Sequence, residues 1–180
     1  MKWSFEYLQD YKNHPLEEEQ TLNLRDSLMK RYPEDILDAS PINVSVQVIN
    51  DQGDMIVDAK VEGKIVVPSS RSLEPVELPL NFSFTEIYVD AESKLDRYEK
   101  TVVVLLVDEK EKIIDFDKAV EDNIIVQIPM HVLSPEESEN NIMPEGNDWK
   151  VISKEDIDES EKDSKNVDPR LAKLKDFYND

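Results

Sequence analysis

His14 and His131 are the side chains of this sequence best suited to move a proton near neutral pH or to hold a metal. They lie far apart, and neither has a carboxylate or a second histidine at a metal-ligand spacing such as HExxH. His14 precedes Pro15 in a polar stretch and reads as a surface residue; His131 follows Pro129 and reads as a partly covered edge residue. With 41 Asp and Glu, acid–base pairs arise by chance, so none is assigned as catalytic. Clustered carboxylates holding Mg²⁺ for a nuclease would need a constellation that the sequence does not display. The serines lack a GxSxG elbow and a partner histidine, which leaves their hydroxyls without an activating base. Three glycines in the whole chain form neither GxGxxG nor GxxxxGK[ST]. Cysteine is absent, which excludes disulfides, thiolate nucleophiles and Cys-bound zinc. The expectation is a protein that is not an enzyme and that takes no cofactor or metal.

Charge restricts the partners further. The 180 residues carry a formal net charge of -20, a field that repels polyphosphate at long range. Autonomous binding of DNA or of nonspecific nucleic acid is disfavoured, whereas a basic protein is attracted; solubility alone explains the charge equally well. The N-terminus, MKWSFEYLQDYKNH, has no apolar core of a signal segment, and the longest apolar run, residues 102–107, is far short of the ~20 residues that cross a bilayer. The expected setting is cytoplasmic, without a membrane.

The elements that would carry any site follow from periodicity. Residues 2–8 alternate Trp3, Phe5 and Tyr7 with polar residues and predict a strand. Leu24, Leu28 and Met29 share a helical face, giving a short helix from about residue 22 to 31 that Pro33 stops. INVSVQVIN and DMIVDAKVEGKIVVPS are β-branched, alternating and joined by Asp51-Gln52-Gly53, a hairpin signature. Val57, Ala59, Val61, Gly63, Ile65 and Val67 form its core face. A loop at 68–75 leads to a third long strand at 76–89, with Phe82 and Phe84 on one face. Charged residues 90–100 connect to an apolar strand at 101–107. Asp117 is placed to cap a helix that shows Val120, Ile124, Gln127 and Ile128 along one side before Pro129, a helix expected to cross the sheet. Trp3, Phe5, Phe82, Phe84 and Tyr88 fit core packing better than base stacking.

Residues 134–165 hold eleven Asp or Glu and four Lys and read as solvated linker. The last stretch, NVDPRLAKLKDFYND, breaks that trend. Asp168 and Pro169 supply a cap and a first-turn proline; Leu171, Leu174 and Tyr178 form one stripe, and Arg170, Lys173 and Lys175 project elsewhere. Isolated helices below about 12–15 residues are marginal in water, so this one is expected to dock.

Two of these segments resemble the YceD family of large ribosomal RNA subunit accumulation proteins. VDPRLAKLKDFY (167–178) is similar to the family's closing DPRLAxLK signature, and PSSRSLEPVELPL (68–80) occupies the place of its CxRCLEPVE-type segment. Between and around these two motifs the order of elements matches over nearly the full chain, including LDASPINVSVQV, the IIDFDKAVEDNIIVQIPMHVL region and MPEGNDW. Many relatives carry Cys-x-x-Cys in the first motif and further cysteines in the linker, which together could bind a metal. Here Ser69 and Ser72 stand at the aligned positions, and serine hydroxyls are poor zinc ligands. Arg71, Leu73, Glu74 and Pro75 survive from the motif. The resemblance implies a part in accumulation or maturation of 23S ribosomal RNA and in large-subunit biogenesis.

The whole reading is an α+β protein: a mainly antiparallel β-sheet or partly closed β-barrel with a few helices and a C-terminal docking helix. Its expected domains are a β-rich body at 1–133, an acidic flexible linker at 134–166 and an amphipathic helix at 167–180. The expected function is noncatalytic support of 23S rRNA accumulation by binding precursor rRNA through Arg71, Arg170, Lys173 and Lys175. The alternative is an acidic adaptor or chaperone for a basic large-subunit ribosomal protein.

Overall fold

A computed structural model describes residues 1–12 and 14–140. The chain divides into a unit Met1–Ser134 and a second beginning at Pro135. The described part of the second is α4 (Pro135–Asn140), which Pro135 opens with Glu136 and Glu137 in its first turn. The six charged and apolar candidates of the C-terminal stretch, Arg170, Leu171, Lys173, Leu174, Lys175 and Tyr178, lie outside the described residues.

The first unit is built on a six-stranded sheet. β2 (Leu16–Leu22), β4 (Ile42–Asp51), β5 (Asp54–Pro68), β6 (Pro75–Val89) and β7 (Val103–Leu106) follow one another in space, and β3 (Asp38–Ala39) pairs with β5 beside them. β1 (Lys2–Ser4) and β8 (Ile113–Asp115) form a separate antiparallel pair. The expected hairpin is β4–β5. Gln52 and Gly53 at its tip have φ of 53° and 94°, the two positive values of a type I′ turn, whose twist matches the flanking strands. β5 and β6 run antiparallel in unbroken register from Met55↔Tyr88 to Pro68↔Pro75.

One face of the sheet is core. Val44, Val46 and Val48 of β4 and Val57, Ala59, Val61, Ile65 and Val67 of β5 are buried, as alternation requires. Each of these valine and isoleucine side chains contributes about 1.5–3 kcal/mol by leaving water. α3 (Phe116–Val126) closes this face with Phe116, Val120 and Ile124. Phe116 meets Trp3 at 5.0 Å between ring centroids and Phe84 at 6.3 Å. Gly63 admits Ile42 so closely that a Cβ would sit 2.6 Å from the Ile42 Cδ1.

Five expectations need correction. The sheet is open: β2 and β7 end it, and among the described residues nothing joins them into a barrel. The strand expected at 2–8 stops at Ser4. α1 (Phe5–Gln9) follows because Phe5 and Leu8, three apart, both find the core, and Tyr7 is left exposed. Residues ahead of the second helix, LEEEQTL, form β2 despite three glutamates, since pairing with β4 outweighs weak strand propensity; α2 starts later, at Arg25, and ends at Arg31. The apolar run at 101–107 narrows to the four residues of β7, which pair parallel to β6 at the sheet edge and leave Val103 and Leu106 exposed. α3 begins one residue before Asp117, and Asp115 caps it by accepting from the Lys118 N–H at 3.3 Å. Asp117 faces the Met1 amino group instead.

Candidate functional site

The segment singled out by sequence forms a tight turn between β5 and β6. Ser69 is fully buried, and its hydroxyl accepts the N–H of Arg71 at 3.1 Å and of Ser72 at 3.4 Å. The Ser69 N–H donates to the Glu74 carbonyl at 2.8 Å, which pinches the loop shut. The Ser72 hydroxyl accepts the Glu74 N–H at 3.3 Å, and Leu73 adopts φ of 63°, which presents its side chain to solvent at 73% exposure. A second tie joins the turn to the segment after α3. Ser70 N–H donates to the Val132 carbonyl at 2.8 Å, and the Val132 N–H returns to the Ser70 hydroxyl at 2.9 Å. The two serines at the cysteine positions therefore serve as acceptors for backbone amides. Arg71 sits half-buried on this pinned turn.

Many other cations of the first unit are matched to carboxylates. Arg25 meets Asp38 at 2.6 Å, an interaction that raises the guanidinium pKa and lowers that of the carboxyl. Arg31 donates to Glu121 at 2.5 Å and also reaches Asp122. Lys60 pairs with Glu62 at 2.6 Å. Lys94 pairs with Asp54 and Asp90, each at 2.7 Å, and these hydrogen bonds raise its pKa. Met1–Ser134 counts 14 Lys and Arg against 27 Asp and Glu, a net charge of -13.

The buried carboxylates have structural work. Asp54 accepts from Lys94 and, at 2.9 Å, from the Tyr98 hydroxyl, which holds a 3-10 helix (Glu92–Arg97) against the hairpin. Glu86 accepts from Tyr88 at 2.6 Å and from Asn123 at 2.7 Å; burial and then this contact push the Tyr88 phenol far up. Among the described residues, no group of three or more acidic or histidine side chains could hold a metal. His14 is exposed and packs its ring edge-on to Tyr11; His131 is exposed rather than partly covered.

The face of the sheet opposite the core is a surface that sequence reasoning left unassigned. Two hollows of about 670 and 710 Å³ share Glu19, Ser45 and Lys60 and form one trough over β2, β4 and β5. Strand alternation announces which side chains point there, but which strands lie side by side is a matter of pairing.

The described chain is thus an acidic α+β protein of an open six-stranded sheet and a separate two-stranded pair, with two exposed features, the serine-pinned turn and the polar trough. The family model described as "Large ribosomal RNA subunit accumulation protein YceD" matches residues 57–178. The chain belongs to the YceD family. It is 31% identical to the "Uncharacterized protein YlbN" of Bacillus subtilis (strain 168) over 176 residues, 97% of this chain and 94% of that protein. No solved structure matches it. No helix among the described residues is long and apolar enough to cross a membrane.

Proposed function

We propose that this protein is a noncatalytic factor of large-subunit biogenesis that supports 23S rRNA accumulation by engaging a basic protein component of the subunit. The observation that carries this reading is the charge of Met1–Ser134, where Arg25, Arg31, Lys60 and Lys94 are tied to carboxylates within a net charge of -13. Such a surface accelerates encounter with a polycation and repels a phosphate backbone. The many Asp and Glu of residues 134–166 add negative charge to the chain, and Leu171, Leu174 and Tyr178 are the residues proposed to hold the partner.

A second reading is favoured by the pinned turn, which presents Arg71 on a backbone fixed by Ser69. In it, Arg71 with Arg170, Lys173 and Lys175 contacts precursor rRNA directly. Recovery of tagged full-length protein from cells, with and without nuclease, separates the two. Nuclease-resistant recovery of a basic large-subunit protein is expected; recovery that nuclease abolishes would replace it with the RNA reading. A variant with all four cations changed to Glu tests that second reading, which persisting precursor-rRNA association at matched salt would retire.

A further inference from the structure

The two ends of the six-stranded sheet are built differently. β2 ends it with Glu17, Glu18 and Glu19, charges that deter another chain from pairing there. β7 ends it with Val103–Leu106, and the surrounding run, residues 101–107, holds neither a charge nor a proline. β7 pairs with β6 on one side only, so its outer row of backbone N–H and C=O groups has no strand partner among the described residues. Its side chains are open as well: Val103 is 52% exposed and Leu105 38% on one face, and Leu106 is 42% exposed on the other. An apolar strand left open at its edge and on both faces is a template for a further strand. Where β6 and β7 both end, the Val107 N–H donates to the Val89 carbonyl at 2.9 Å, and a hollow of about 360 Å³ opens beside Val107. Glu6, Asp90, Asp108 and Glu109 line it against a single cation, Lys112, which Glu6 meets at 3.4 Å. Asp108 accepts the N–H groups of Lys110 and Glu111 through one oxygen, Oδ1, and Glu109 is exposed.

We propose that the outer edge of β7 takes an added strand from a protein partner: an extended apolar segment with a Lys or Arg at the end that reaches the acidic hollow. Main-chain hydrogen bonds to the edge supply affinity, and the apolar side chains of the added strand cover Val103, Leu105 and Leu106. Asp108 and Glu109 follow Leu106 by two and three residues, about 7–10 Å along the chain, so a cation just past the paired stretch meets them. The chain's net charge of -20 favours a basic segment. A second copy fits less well: it brings the same charge, and a shared strand of four residues falls short of the ~1,200 Å² that stable interfaces bury. RNA would set phosphates against the carboxylates and find only aliphatic side chains on β7, with no ring to stack on. The inference rests on the protein-partner reading and adds where on the body the partner binds and in what conformation.

The test uses the full chain and a fluorescein-labelled peptide, Lys-Arg-Val-Thr-Val-Thr-Val-Arg-Lys, basic at both ends so that either strand direction meets the hollow; binding is followed by fluorescence anisotropy at physiological salt. At saturating peptide, hydrogen exchange of the unaltered chain is expected to slow at least tenfold at amides within Val103–Leu106, the direct mark of strand addition. The variant Val103→Glu/Leu105→Glu is expected to weaken binding at least tenfold, although its two added charges would tighten a purely electrostatic complex. Glu6→Gln/Glu109→Gln, in the hollow, is expected to weaken binding at least threefold, and Glu17→Gln/Glu19→Gln, at the opposite edge, less than twofold. Amide spectra establish that the variants keep the fold. No binding to the unaltered chain, exchange at β7 unslowed by bound peptide, or equal weakening by the two glutamine variants would overturn the proposal. So would a single-stranded 20-nucleotide RNA that slows the same amides, or a dimer of the chain alone that Val103→Glu/Leu105→Glu dissolves. Undiminished nuclease-resistant recovery of a basic ribosomal protein by the Val103→Glu/Leu105→Glu variant sinks the edge site and leaves the protein-partner reading standing. Peptide protection of β7 without any such recovery from cells does the reverse.

Discussion

Arg31, the last residue of α2, donates to Glu121 in the middle of α3 at 2.5 Å, and the carboxylate it meets is nearly sealed from water. The same guanidinium reaches Asp122, so one cation serves two carboxylates and ties together elements ninety residues apart. Replacing Arg31 by Ala leaves Glu121 buried without its cation and is expected to cost about 3 kcal/mol in urea unfolding. Arg31→Lys keeps the charge but loses the two-pronged fork and should recover only part of that. The double change Arg31→Met/Glu121→Leu should return most of the loss, because it removes the stranded charge along with its partner.

Ser69 offers a second test. Its hydroxyl is the acceptor for two amides in a fully buried place, so Ser69→Ala is expected to cost about 1–3 kcal/mol and to speed hydrogen exchange at Arg71 and Ser72. Exchange there unchanged from the parent would show that other contacts hold the turn.

The hairpin tip predicts a gain. Gln52 occupies a left-handed backbone position that Asn adopts more readily, and Gly53 follows it as in the favoured Asn-Gly turn. Gln52→Asn should raise stability by about 0.5 kcal/mol, and Gly53→Ala should lower it by about 1 kcal/mol, both read from thermal melting.

Acid should weaken the fold through identifiable groups. Burial of Asp115 opposes its charge, but Lys2, the Lys118 N–H and the Met1 amine together hold its pKa below the ordinary carboxylate value. A carboxyl with a lowered folded pKa contributes stability that is complete above the unfolded value, about pH 4, and is lost as pH falls through the folded one. Asp38, Asp90 and Asp108 are lowered in the same direction. Stability should therefore fall steadily below pH 4. Asp115→Asn keeps a side chain able to cap α3 and should flatten that slope, as urea midpoints measured from pH 2 to 5 would show.

The β4–β5 hairpin and the strand after it were legible because alternation and turn chemistry are local: Val57, Ala59 and Val61 announce a half-buried strand, and Gln52-Gly53 a reversal. β2 was not, since Glu17, Glu18 and Glu19 become strand only by lying against Gln47, Val46 and Ser45. The apolar run at 101–107 misled in the opposite sense. Its composition reads as core, and only the parallel pairing with β6 shows that it ends the sheet. At the site, the turn at Ser69 could be found from its motif, whereas the trough could not, because Glu17 and Asp58 come from strands that β4 separates. The cap of α3 was misplaced by two residues for a similar reason: Asp115 and Asp117 are equivalent in local propensity, and the chain end decides between them by placing the Met1 amine at Asp117.

Because β7 runs parallel to β6, no tight turn can join them, and the chain must travel back through residues 90–102 before the strand can add. Asp54 secures that return journey from the first position of β5, by way of Lys94 and Tyr98. During synthesis the β4–β5–β6 meander is complete before the strand that closes the edge leaves the ribosome. A nascent chain of this protein thus exposes its β6 edge until some twenty further residues emerge, and that interval makes the growing chain most vulnerable to pairing with a neighbour.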